Sequence, residues 1–296
     1  MSQGFDSTRI ALGTAGLAGL WGPVDRREAL RTIHMALEAG ILHLDTAPAY
    51  ADAEALVGEA LRSWPGRRPT ISTKAGKGRA ESPDGVVRCY SPQAIRQSVQ
   101  ESLRILRSDV IDILFLHDPP LMQAHEIAPA VEALAQLQRE GLIRQVGIGG
   151  NYGDAFAAWA VRPPFAYFMG FNRYNILNQS AALQEFPLLR DAGQVIWQAS
   201  PLYMGLLGAK HGQYLQERPS WIPTADLAAA ETLARQCATH RIDMTGLALQ
   251  FVCRSPWVNR MVIGASNPEE LRQSLEQLQD PRLAAMADKL HAGERL

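Results

Sequence analysis

Cysteine is scarce in this chain: Cys89, Cys237 and Cys253 are the only three in 296 residues, odd in number and unclustered. That excludes a disulfide framework and a cysteine-built metal site, and it suits reduced thiols in the cytoplasm. No apolar run approaches the roughly 18–20 residues that a membrane-spanning helix needs. The opening MSQGFDSTRI has no basic stretch followed by an apolar core, so no export signal is expected. An excess of either charge is missing too, with 29 Lys+Arg against 30 Asp+Glu and a net charge of −1. Such a balance gives no electrostatic reason for nucleic acid or an acidic membrane as partner. A small molecule is the expected one. With 47% hydrophobic residues, the chain is also too apolar to be disordered.

What the sequence does have is alternation. Short Leu- or β-branched-rich runs at 9–15, 41–47, 70–74, 112–117, 143–149, 166–171, 195–198 and 260–264 read as strands. Amphipathic stretches at 25–38, 53–63, 92–106, 127–139, 179–191, 225–240, 245–253, 268–279 and 282–291 read as helices. Gly40 and Gly141 stand where left-handed residues end helices, and Ser91-Pro92 where one begins. Near-continuous apolar strands between helices imply a parallel sheet covered on its outer face. Eight such units in one chain of this length predict an α/β fold, a single (β/α)₈ barrel domain over residues 1–296, with its active site at the C-terminal ends of the strands. Two connections exceed ordinary length. Residues 75–90 follow the third strand and carry Lys77, Arg79, Glu81, Asp84 and Arg88, and an irregular surface insertion is the alternative there. Residues 200–224 follow the seventh strand and carry Tyr203, Tyr214 and Trp221.

Charged residues close three successive strands: Asp45, Lys74 and His117, with Tyr50 five positions beyond Asp45. Packing explains this poorly, because a buried lysine is costly unless paired. Asp45 is its natural partner. A tyrosine near pKa 10 is a poor acid or base at neutrality, but a neighbouring ammonium stabilises the phenolate. Tyr50 beside Lys74 is therefore expected to exchange a proton with a substrate oxygen that His117 orients. A carbonyl protonated as hydride arrives, or an alcohol deprotonated as hydride leaves, requires a hydride carrier, which proteins lack. A nicotinamide cofactor is implied. Two other readings stay open at this point: Lys74 as a Schiff-base nucleophile, and His43, Asp45 and His117 as metal ligands. The second lacks further ligands at later strand ends, so no metal is expected, and His43 reads better as a hydrogen-bonded core residue. Trp21, Tyr152, Tyr203 and Trp221 are candidate walls of the substrate pocket, together with Tyr50 and His117; packing is the alternative for each.

The segments ALGTAG, EAGILHLDTAPAY, ISTK, DVIDILFLHDP, ASPLYMGLL and VIGASNPEELRQSLE resemble, in order, the signatures of the aldo-keto reductase superfamily. HDP and ASPLYMGLL look most like its aldose dehydrogenases for L-galactose, L-fucose or D-arabinose, and the related pyridoxal dehydrogenases. The resemblance implies the (β/α)₈ barrel, extended NAD(P) bound without a Rossmann domain, and the tetrad Asp45, Tyr50, Lys74 and His117. It further implies cofactor contacts at Gly13, Thr14, Asp45, Asn151, Ser200, Leu202, Gly205, Gly264, Ser266 and Glu270. Gly147-Ile148-Gly149-Gly150-Asn151 departs from the usual Gly-Val-Ser-Asn-like run, so Asn151 would hold the nicotinamide carboxamide from a shifted position. Phe171 likewise stands where a glutamine is common. Near the ribose, Ala265-Ser266-Asn267 and Glu270 replace the cations that NADP-preferring members use, which favours NAD, although Arg272 lies one turn on. The expected reaction is oxidation of a sugar lactol to a lactone. The alternatives are NADPH-dependent reduction of aldehydes or ketones, and a nucleotide-binding regulatory subunit with little turnover.

Overall fold

The computed structural model describes residues 6–78 and 87–294. Eight parallel strands close into a barrel: β1 (Ile10–Gly13), β2 (His43–Asp45), β3 (Thr70–Ala75), β6 (Ile111–His117), β7 (Ile143–Gly149), β8 (Phe165–Phe171), β9 (Val195–Ala199) and β10 (Arg260–Gly264), with β10 returning to pair β1. The two strands left out of the barrel, β4 (Lys77–Gly78) and β5 (Val87–Arg88), pair antiparallel as the base of a hairpin after β3. The predicted insertion is thus anchored at both ends, while Arg79, Glu81 and Asp84 lie outside the described residues. The expected strands at 9–15 and 41–47 shorten to four and three residues, because the flanking backbone turns into loops at the mouth and base.

Helices α1 (Arg26–Glu38), α2 (Ala53–Ser63), α3 (Pro92–Leu106) and α4 (Ala124–Arg139) cover the first half of the barrel. Their starts follow local chemistry. The Asp25 carboxylate accepts the Arg27 and Glu28 amides at the start of α1, and Ser91 Oγ accepts the Ala94 amide at the start of α3. Gly40, at φ 82°, supplies the left-handed residue after α1. In the second half, α5 (Asp154–Ala160) is a helix outside the expected elements; Phe156 and Ala160, four apart, bury its one apolar edge. The single helix expected at 179–191 is two, α6 (Ser180–Leu183) and α7 (Glu185–Asp191). Pro187 explains the break, since its ring has no N–H and clashes with the carbonyl four residues back. Then come α8 (His211–Glu217), α9 (Thr224–His240), α10 (Met244–Cys253), α11 (Pro268–Gln279) and α12 (Pro281–His291). Among the described residues no helix is long and apolar enough to cross a membrane.

Three apolar clusters hold this together. The largest lies between the sheet and the helices. A second, including Tyr203, Leu206, Leu207, Tyr214, Ile222 and Leu247, packs the long seventh connection against α9 and α10. The third fills the barrel itself with Ala11, Ile113, Phe115, Met169, Trp197 and Val262. Its aromatic packing depends on a missing side chain: a Cβ on Gly147 would stand 2.5 Å from the Phe115 ring and 2.9 Å from Tyr167 Cβ. At the base, His43 meets Trp197 edge to face at 5.9 Å. His43 is not the hydrogen-bonded core histidine expected, for its Nδ1 is buried without a partner. Burial, with Arg260 nearby, pushes its pKa down to about 4.

Two outcomes follow for stability. Gly147→Ala overpacks the barrel and should cost about 1–3 kcal/mol by urea unfolding, with Phe115→Leu restoring part of it. His43 binds its proton more readily unfolded (near 6.5) than folded (about 4), so stability falls as pH drops through that window. Solvent at its partly exposed edge trims the loss to about 1–2 kcal/mol. His43→Gln should flatten that part of the stability–pH curve.

Candidate active site

Parallel strands that end together put Asp45, Lys74 and His117 at one mouth of the barrel. Asp45 and Lys74 are 3% and 2% exposed, so neither carries its charge alone. Lys74 Nζ donates to Asp45 Oδ2 at 2.6 Å and to the Thr46 carbonyl at 2.9 Å. The second carboxylate oxygen, Asp45 Oδ1, accepts the Ser72 hydroxyl at 2.7 Å. Burial disfavours the ammonium, but Asp45, with Tyr50, outweighs it and holds the Lys74 pKa above the ordinary lysine value. A lysine kept protonated in this way is no Schiff-base nucleophile.

The ammonium also lies 4.7 Å from the centre of the Tyr50 ring. The expected depression of the Tyr50 phenol is not the net result: burial pushes its pKa up, and Lys74 offsets only part of that. The phenol is thus protonated at rest. His117 stands edge to face with Tyr50 at 5.9 Å between ring centres. Burial, then the Lys74 and Lys77 ammonium groups, lower its pKa well below the ordinary histidine value, so the imidazole is neutral. Its Nδ1 is buried without a partner, whereas Nε2 lies 3.9 Å from Asp118 Oδ2. An orphaned buried acceptor is commoner than an orphaned N–H, which assigns the proton to Nε2, the nitrogen able to donate to a ligand oxygen.

The predicted cofactor residues divide. Gly13 and Gly264 pair at the ends of β1 and β10; a Cβ on Gly13 would press on Val262 Cγ1 at 3.0 Å, whereas among the described residues a Cβ on Gly264 would meet only the Trp21 ring, at 3.7 Å. Thr14 is fully buried and gives its hydroxyl to the Asp45 carbonyl at 2.9 Å. Ser200, Tyr203, Met204 and Gly205 all have positive φ, a concentration of strain that the surrounding second core sustains; Leu202 lies among them. Asn151 is already engaged: Nδ2 donates to the Phe171 carbonyl at 3.0 Å and Oδ1 accepts the Phe171 amide at 3.3 Å. One N–H and one lone pair of its amide stay outside that pair. Glu270 accepts the Ser266 amide at 2.8 Å and the Asn267 side chain at 3.2 Å. It closes a cap on α11, not the ribose contact expected, and its carboxylate fills the helix N-terminus where an anion would otherwise sit. Arg272 turns along its own helix to Glu269 and Glu276.

The pocket candidates divide as well. Tyr152 packs on Phe156 and Phe168 in the shell outside the barrel, which withdraws it from the pocket. Tyr203 is 5% exposed in the second core, its hydroxyl donating to Asp226 at 2.5 Å, and it too is withdrawn. Trp21 and Trp221 are about half exposed on loops, Trp21 over Gly16 and Gly264 and Trp221 edge-on to Tyr214. Among the described residues no three His, Cys, Asp or Glu side chains converge as a metal site. Two charged residues at the mouth escaped assignment in the sequence: Asp118 and Lys77, paired at 3.0 Å. The HDP run that follows β6 was the available signal for the first.

Comparison with known proteins agrees with this geometry. A model of the Aldo/keto reductase family matches residues 9–287. The D-threo-aldose 1-dehydrogenase of a Pseudomonas species is 30% identical over 295 residues, covering 90% of this chain and 88% of that protein. An NADH-specific methylglyoxal reductase of Escherichia coli strain K12 is 30% identical over 298 residues, covering 92% and 90%. The solved structure of a glycerol dehydrogenase from Gluconobacter oxydans superposes with a TM-score of 0.74 at 25% identity, covering 97% and 93%. On sequence and barrel alike, the chain belongs to the aldo/keto reductase family of nicotinamide-dependent oxidoreductases.

Proposed function

We propose that the protein is a cytoplasmic NAD-dependent dehydrogenase that oxidises a sugar lactol, or a similar alcohol, at its anomeric carbon to a lactone. The observation that carries the reading is the buried Lys74–Asp45 pair beneath a protonated Tyr50, beside a neutral His117. The open position at Gly264 and the positive-φ residues between Ser200 and Gly205 fit an extended dinucleotide along the mouth. Gly264, Ser266, Ser200, Leu202 and Gly205 would line it, with Asp45 nearby. NAD, when bound, supplies the hydride acceptor.

The chain's own part is proton movement. His117 Nε2–H holds the lactol hydroxyl oxygen against Tyr50. In the oxidising direction Tyr50 first loses its own proton to solvent, Lys74 stabilising the phenolate left behind; as the C–H bond gives up its hydride, the hydroxyl proton passes to that phenolate oxygen. Asp45 keeps Lys74 charged throughout. Trp21 and Trp221 stand as walls on either loop. The reverse sequence reduces an aldehyde, and the methylglyoxal reductase activity of the Escherichia coli relative supports that as the second reading. A purely nucleotide-binding role would leave the costly buried pair without purpose.

The carboxylate of Glu270 at the start of α11 supports NAD over NADP, because a 2′-phosphate would compete with it for the Ser266 amide. Free cysteines, two of them buried, suit a reducing compartment.

Tyr50→Phe should lower kcat/KM about 10²–10⁴-fold in a nicotinamide-absorbance assay on aldoses, while nucleotide affinity changes little. Retention of most activity would contradict the assignment. Glu270→Arg should raise NADP affinity about tenfold or more relative to NAD and cost about 1 kcal/mol of stability through the lost cap. Unchanged discrimination in nucleotide titrations would remove Glu270 from specificity.

A further inference from the structure

The residue after His117 is held in a costly shape. Asp118 has φ 49°, a left-handed conformation that a side-chain-bearing residue adopts only when its surroundings impose it. Three contacts do so. Its amide donates to the Gly149 carbonyl at 2.7 Å, and its carbonyl accepts the Tyr90 hydroxyl at 2.9 Å, which donates also to the His117 carbonyl at 2.6 Å. Lys77 Nζ, from the hairpin base, donates to Oδ2 at 3.0 Å. The glycines that depart from the family pattern take part as well. A Cβ on Gly150 would stand 2.6 Å from Asp118 Oδ1, so only a bare position there leaves the carboxylate its place.

The carboxylate ends 3.9 Å from His117 Nε2 and is 24% exposed, Lys77 29%. Among the described residues Lys77 is the only hydrogen-bond donor to it, and Oδ1 accepts none. A carboxylate offers about four acceptor sites, so this partly exposed one keeps acceptor capacity to spare. The neighbouring oxygens of a vicinal diol lie about one hydrogen bond apart, roughly 2.8 Å. An oxygen held by His117 Nε2 therefore brings the hydroxyl on the next carbon within reach of Asp118.

We propose that Asp118, held by Lys77, accepts the hydroxyl on the carbon adjacent to the reacting one and so selects 2-hydroxy lactols and 2-hydroxy aldehydes over their deoxy counterparts. This rests on the reading of the site as a centre for carbonyl–alcohol hydride exchange. Asp118 is a specificity residue that touches substrate; Lys77 is a positioning residue.

The test compares glyceraldehyde with propanal, reduced with NADH or NADPH, in the wild type, Asp118→Asn and Lys77→Met. Asparagine tolerates the left-handed backbone, so the first variant keeps its fold. The wild type should favour glyceraldehyde about 10- to 100-fold in kcat/KM, the difference carried mainly by KM. Asp118→Asn should bring the ratio close to one, and Lys77→Met should lower it about three- to tenfold. A wild-type ratio near one overturns the proposal, as does an equal loss on both aldehydes in Asp118→Asn, which would make the pair a hairpin anchor only. If aldoses are not oxidised but glyceraldehyde is selectively reduced, the lactol reading fails and this one stands. If neither aldehyde is reduced, both fall.

Discussion

The buried ion pair between Lys74 and Asp45 is the constraint on which the site depends. At 2.6 Å and almost without solvent, neither charge survives alone, and removing one partner of such a pair typically costs about 3–5 kcal/mol. That cost explains the neighbouring chemistry. Ser72 and the Thr46 carbonyl add a further hydrogen bond each to the carboxylate and the ammonium, and Thr14 ties the Asp45 backbone to β1. Three adjacent strands are thus committed to placing one permanent positive charge under Tyr50. In return, a phenol whose burial favours the neutral form has a nearby cation to stabilise the anion when it must accept or release a proton.

Around this rigid centre, the loops carry strain and adjustability. Positive φ at Asp118, Ser200, Tyr203 and Met204 clusters at the mouth, where the hairpin base and the second core hold the backbone in place. The same rim carries Trp21 and Trp221, half exposed, and the Lys77–Asp118 pair. In the proposed mechanism the barrel separates two tasks: strand ends supply proton chemistry, and loops supply recognition.

The sequence made the barrel legible because parallel strands buried on both faces must be apolar almost throughout, and a single charge at the end of three of them then stands out. Asp45, Lys74 and His117 were visible for that reason. Short helices were not: α5 buries only Phe156 and Ala160, too few residues for a periodic signal, and α8 lies inside what reads as a connection. Side-chain direction was not legible either. Whether Glu270 caps its helix or reaches a ribose, whether Asn151 is free or bound to Phe171, and whether Tyr203 faces a pocket or a core are decided by local hydrogen bonds and packing that residue identity does not specify. The phenol of Tyr50 shows the same limit, since the balance between burial and an ammonium depends on depth and distance.

The most direct test of the central claim is the single-turnover rate of hydride transfer in Lys74→Met, followed by nicotinamide absorbance with saturating nucleotide and an aldose. Nucleotide affinity in the same samples reports whether the barrel remains folded. With binding intact, loss of the ammonium should slow transfer about 10²–10⁴-fold, because the Tyr50 anion loses its stabilising charge. A rate within about threefold of the wild type in a variant that still binds nucleotide would contradict the account.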